Sequence, residues 1–189
     1  MNRALFICLL LCSACSAEIS VETEPFNQKV PVTSLLEPVY AEVAIDVPDE
    51  AVGDVIVDEI SADLTVVNPA KALTLETGVR LSLSGKATPE DPVLYTNTNL
   101  PAYFNTASIL LPTQAFAPGQ SKPFTIKDPV LVKAAGKPRI WLIVNNTVKR
   151  VGLGTDTLPL DILLQNIVFR ATVTKPFNGV AGGLEVGGL

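Results

Sequence analysis

The chain has 189 residues, 48% of them hydrophobic and 17% charged, with a formal net charge of −5, three cysteines and no histidine. An acidic chain with dispersed Lys and Arg lacks the basic footprint that nucleic acid demands. Without histidine, and with all three cysteines (Cys8, Cys12, Cys15) inside the first fifteen residues, the usual Ser-His-Asp, Cys-His, zinc and copper chemistries are excluded, and so are disulfides in the body.

The chain opens with Arg3, an apolar run over 4–11 and small residues ending at Cys15, the layout of an export signal. The apolar run is far below the roughly 20 residues of a spanning helix. Leu11-Cys12-Ser13-Ala14-Cys15 resembles the lipobox of bacterial lipoproteins, with Cys12 where that pattern prefers Leu or Val. The resemblance implies a signal peptide over 1–14, lipid attachment at Cys15 and a place on the outer membrane of the cell envelope. Cleavage after Ala17, giving a secreted periplasmic protein, is the alternative. Residues 15–28 are polar and acidic, contain Pro25 and read as a flexible tether, which leaves 29–189 as one domain ending in a Gly-rich tail.

Period-two alternation then dominates. Val39, Ala41, Val43, Ile45 and Val47 alternate with Tyr40, Glu42, Ala44 and Asp46, predicting a strand with those four on its other side. Ile60, Ala62, Leu64 and Val66 form one face of a second strand; Leu73, Leu75, Val79, Leu81 and Leu83 form one face of a third. The two are a hairpin or strands of facing sheets. Residues 88–101 are rich in turn formers and predict a loop or short edge structure. Strands are expected at 107–111 and 124–126, a Pro-Gly turn at 117–120, and a single helical turn from Pro129 closed by Gly136. Residues 140–144, apolar on both sides, suit a central strand covered on both faces. From 160 to 173 the alternation changes phase at Gln165-Asn166, predicting a bulge or a bend. The tail over 179–189 is a frayed end or an edge strand.

Together these elements predict an all-β, immunoglobulin-like antiparallel sandwich of about seven or eight strands. Residues 64–69, 73–75 and 79–85, with Asn68-Pro69 ending one strand and Gly85 ending the next, resemble the signature stretch of group-two late-embryogenesis-abundant and WHy domains, which implies the same sandwich. The Asn68 amide is expected to bond the backbone of the turn that Pro69 imposes.

No catalytic, cofactor or metal site is predicted. Asp156 lies in Gly154-Thr155-Asp156-Thr157, which shares Asp-Thr with the aspartic-protease loop but has Leu158 where glycine is required; it reads as a polar turn whose Asp156 caps its own backbone. Gly152-Leu153-Gly154 lacks the remainder of a phosphate loop. Asp46, Asp49 and Asp54 lack calcium-loop spacing. Asn145-Asn146-Thr147 reads as a strand-ending turn. The expected function is therefore non-enzymatic: an envelope lipoprotein that binds a hydrophobic ligand or an envelope protein partner. The alternative is a carboxylate-dependent hydrolase of cell-wall material, for which Asp156 and Asp161 are the acids to watch.

Overall fold

The computed structural model of the chain describes residues 17–47 and 56–175. The expected signal peptide, Cys15, Asp49, Asp54 and the Gly-rich tail lie outside the described residues. Ten strands follow in order: β1 Ala17–Glu22, β2 Phe26–Val32, β3 Val39–Asp46, β4 Ile56–Val67, β5 Leu73–Ser82, β6 Val93–Tyr95, β7 Ser108–Phe116, β8 Ser121–Ile126, β9 Arg139–Val151 and β10 Leu160–Lys175. A 3-10 turn, Ala102–Thr106, precedes β7, and one short helix, α1 (Pro129–Ala134), joins β8 to β9.

Every pairing is antiparallel, and the strands form two layers. One sheet runs β1-β10-β4-β8, with β2 on the same edge of β10 as β1; the other runs β6-β3-β9-β5-β7. The pairs β2–β10, β3–β9, β4–β8 and β5–β7 are those of one long hairpin, and the contacts β10–β4 and β9–β5 fold it over into two sheets. This is the strand order of a jelly roll. The expected all-β antiparallel sandwich is what the chain forms, with jelly-roll order where immunoglobulin-like packing was expected; among the described residues it has ten strands against the expected seven or eight, β1 and β6 extending the edges. β4 and β5, left open as a hairpin or facing strands, face each other from opposite sheets.

The core is made by the alternation read from the sequence. Ala62, Leu64 and Val66 of β4 meet Leu73, Leu75, Val79 and Leu81 of β5, with Val43, Leu142, Val144, Ile162 and Leu164 among their buried companions. The phase change in β10 is a bulge at the predicted place: its register with β4 and with β2 shifts across Gln165-Asn166, where Asn166 adopts φ 51°. The helical turn also stands, with the Asp128 side chain accepting from the Val130 amide at 2.8 Å, and Val130, Leu131 and Ala134 buried.

Two further expectations change. Residues 17–28, read as part of a tether, carry β1 and the start of β2, because the 16-residue β10 is long enough to pair both along one edge; Pro25 breaks the chain between them. Asn145-Asn146-Thr147 lies inside β9, where Tyr40, Val39, Gly78 and Thr77 supply paired strands on both sides. Glu42, on the side of β3 opposite Val39, Ala41, Val43 and Ile45, is fully buried, which alternation alone does not give. The segment between β5 and β7 folds back over the outer face of the β3-β9-β5 sheet and covers it.

Proline sorts with position. Pro31, Pro112 and Pro123 lie in β2, β7 and β8, three of the edge strands, whereas the central strands β3, β4, β5, β9 and β10 contain none. A proline cannot donate to a ladder, so it is tolerated at an edge and blocks further strand addition there.

Gly85, expected to end β5, lies three residues beyond Ser82, the last residue of that strand, and there the Trp141 ring occupies the space a side chain would need; the indole Nε1 donates to the Ala87 carbonyl at 3.1 Å. Gly85→Ala is expected to cost about 1–3 kcal/mol through overpacking. Since Trp141 is the chain's single tryptophan, its emission should shift to the red as the covering segment lifts, while an unchanged spectrum and denaturation midpoint would contradict this packing.

Candidate functional site

The connections 33–38, 68–72, 117–120 and 152–159 all lie at one end of the sandwich, since β2 ends opposite Leu160 where β10 starts, and β5 starts opposite Val151 where β9 ends. Pro69 disfavours helical geometry at Asn68 and turns the chain out of β4. The Asn68 side chain is fully buried, and its Nδ2 donates to the carbonyls of Leu73 (2.8 Å), Phe116 (3.0 Å) and Ala117 (3.1 Å). Its Oδ1 accepts from the Ala70 amide at 3.1 Å, and the Asn68 and Gly119 amides bond Gln120 and Ala70 carbonyls. One carboxamide thus binds the β4–β5 crossover to the β7–β8 turn, extending the predicted backbone cap to a second connection.

The 152–159 loop is clamped to the same corner. The Gly152 amide donates to Ala72 O at 2.7 Å, and the Asp156 carboxylate accepts from the Lys71 amide (2.9 and 3.0 Å) and the Ala72 amide (2.6 Å). These amide bonds, that of Lys71 foremost, hold the Asp156 carboxyl below the ordinary carboxylate pKa. Asp156 therefore caps the backbone of another loop, where its turn context led one to expect a cap of its own backbone. Asp161 lies on β10 opposite Pro31, and neither acid is buried. Gly152-Leu153-Gly154 lies against Ala72 instead of cradling a ligand.

On this braced frame, apolar side chains point outward. In the 33–38 loop Ser34 Oγ accepts from the Leu36 and Glu37 amides, both at 3.2 Å, a turn that leaves Leu36 93% exposed and Leu35 half exposed. In the neighbouring loop Leu153 is fully exposed between the anchored Gly152 and Asp156, and Val151 is largely exposed beside it. Among the described residues these are four of seven exposed large hydrophobics, the others being Val21, Leu94 and Ile109 on separate strands. Clustering of that kind is what a contact surface requires.

Two further features bear on chemistry. Asp46, weighed as a calcium ligand, pairs instead with Arg139 at 2.6 Å, and no cluster of three or more metal-ligating side chains occurs among the described residues. A surface hollow between β2 and β3 is lined by Phe26, Gln28, Ala44, Ile45, Asp46 and Pro89.

Sequence reading missed the Glu42 cluster. Glu42 Oε1 accepts from the Lys86 and Ala87 amides at 2.5 and 2.7 Å, and Oε2 accepts from Tyr103 Oη at 2.6 Å. With that proton committed, Tyr95 is the donor to Tyr103 at 3.0 Å. Burial, then hydrogen bonding to Glu42, raises the Tyr103 pKa well above the ordinary phenol value, and burial raises that of Tyr95. Both phenols stay protonated, and the cluster ties the covering segment to β3. An acid inside a run as apolar as Val39 to Ile45 was the available signal.

No family model and no curated protein matches the chain. Among solved structures, it is similar to one of infectious bursal disease virus, Gx strain, at 11% identity and TM-score 0.34, covering 89% of this chain and 34% of that one. A T13 particle of the same virus aligns at 9% identity and TM-score 0.34, covering 85% and 31%. An empty head of turnip yellow mosaic virus aligns at 14% identity and TM-score 0.32, covering 84% and 80%. The chain spans about a third of the length of the first two. The jelly-roll assignment rests on the chain's own strand order.

Because the folded-state pKa of Asp156 is depressed, its contribution to stability is complete above the ordinary value of 3.8 and is lost as pH falls through the lower folded value. Denaturation midpoints of the wild type and Asp156→Asn should therefore differ by a constant amount near neutrality and converge only in acid below the ordinary carboxylate range. A gap that widens as pH falls, or no gap at neutrality, would contradict the clamp.

Proposed function

We propose that the protein is an envelope lipoprotein, held on a membrane through Cys15, whose sandwich is a non-enzymatic module that binds an apolar ligand or an envelope protein. The single observation that carries the binding role is the set of Leu35, Leu36, Val151 and Leu153, held outward by hydrogen-bonded turns at one end of the molecule. Exposed leucines that a braced backbone prevents from turning inward cost solubility, and a contact offsets that cost. The anchoring role is supported by the leader, in which small residues precede Cys15. Two or more acyl chains on one cysteine give an attachment that does not readily reverse.

The competing hydrolase needs two acids converging on one cleft at roughly 5–9.5 Å. Asp156, the acid singled out for that role, gives both carboxylate oxygens to main-chain amides of another loop.

Mass spectrometry of the amino-terminal peptide from membranes tests the anchor. The expected peptide begins at an acylated Cys15, and Cys15→Ala should move the protein to the soluble fraction. An unmodified peptide beginning at Glu18 would show secretion instead.

A further inference from the structure

Strand direction separates the two ends of the molecule. β1 starts at Ala17 beside Lys175, whereas the exposed loops flank Leu160, at the other end of β10. At about 3.3 Å per residue, the 16 residues of β10 put roughly 50 Å between these ends. If Cys15 is acylated, a single residue, Ser16, separates the anchor from β1, so the Leu36 and Leu153 tips face away from the membrane that holds the protein. We propose that these tips insert into a second lipid surface, making the sandwich a spacer between two bilayers; this rests on the anchored reading above.

The occupant follows from how the apolar surface is distributed. The four side chains stand at two connections, flanked in sequence by Ser34, Glu37, Thr155 and Asp156, and together offer a few hundred Å² of apolar area. A stable second copy or protein partner needs roughly 800 Å² on each side with complementary shape. A bilayer needs neither: each leucine that enters the acyl region contributes independently, and a fluid surface adapts to isolated projections. The loops are suited to this because they are already ordered. Ser34 fixes the backbone at Leu36, and the Gly152 and Asp156 bonds to Ala72 and Lys71 fix it on both sides of Leu153, so insertion orders little further.

The test uses acylated full-length protein reconstituted in phosphatidylcholine vesicles and mixed with labelled, protein-free phosphatidylcholine vesicles. The inference predicts clustering of the two populations, and combined Leu36→Ser and Leu153→Ser substitution should reduce it by about tenfold or more without lowering the amount of protein held on its own vesicles. An environment-sensitive dye placed at Leu153→Cys should brighten on contact with the protein-free vesicles, while the same dye at Ile109→Cys on β7 should not. Protein that remains on its own vesicles yet neither clusters the others nor brightens at 153 overturns the inference and leaves the anchor standing. Clustering only between protein-bearing vesicles would assign the tips to a second copy and overturn it too. Protein that washes off its own vesicles overturns the anchor instead; the tips are then judged by the dye on unacylated Cys15→Ala protein, where brightening supports insertion and its absence refutes it.

Discussion

The Asn68 carboxamide is the tie on which one end of the sandwich depends. Where β4 crosses to β5, and β7 turns into β8, the backbone leaves one sheet for the other and its polar groups lose their ladder partners. Asn68 satisfies three of those carbonyls and one amide from a fully buried position. Its removal would strand them at about 1–3 kcal/mol each, a sizeable share of the roughly 5–15 kcal/mol by which a domain is stable. An aspartate of the same shape would present acceptors to three carbonyls. The type of side chain is thus dictated as firmly as its size, and the neighbouring 152–159 loop builds on the same corner through Asp156.

The two sheets solve different problems. The sheet containing β4 and β10 keeps a polar outer face, with Asp63 paired to Arg170 and bonded by Thr125. The sheet containing β3, β9 and β5 is covered outside by the segment that follows β5. Trp141 lies over Gly85, Arg80 stands 4.8 Å from the Phe104 ring, and Tyr40 meets the same ring edge-on at 5.2 Å. Glu42 is the polar centre of this cover. A buried carboxylate is costly unless donors surround it, and the Lys86 and Ala87 amides with the Tyr103 hydroxyl provide them. The cover accounts for residues 140–144 of β9 being apolar on both faces.

What the sequence made legible was local. Alternation at 60–66 and 73–83 gives the strands and their buried faces, the slipped phase at Gln165-Asn166 gives the bulge, and Asn68-Pro69 gives the corner. Position in the fold was less accessible. β1 looked like tether because Glu18, Glu22 and Glu24, followed by Pro25, make the stretch around it acidic and broken, and only the length of β10 provides it with a partner. Burial of Glu42 was not legible because its partners, Lys86, Ala87 and Tyr103, lie 44 to 61 residues away. Asp156 was legible as a backbone cap, but the loop it caps lies 84 and 85 residues earlier. The prolines of β2, β7 and β8 did mark the sheet edges, a signal that becomes readable once each strand's neighbours are known. The apolar tips are the least local of all, since Leu36 and Leu153 share an end only through the wrapping of the long hairpin.

That wrapping is tested most directly by cross-strand nuclear Overhauser effects between α-protons of the isotope-labelled protein. The jelly-roll order predicts contacts along β10–β4, as at Leu164 and Val66, and along β9–β5, as at Val144 and Val79. It predicts no ladder between β4 and β5. A continuous β4–β5 ladder across Asn68-Pro69, as in a simple hairpin, would contradict the fold, the shared end of the two apolar loops and the function read from them.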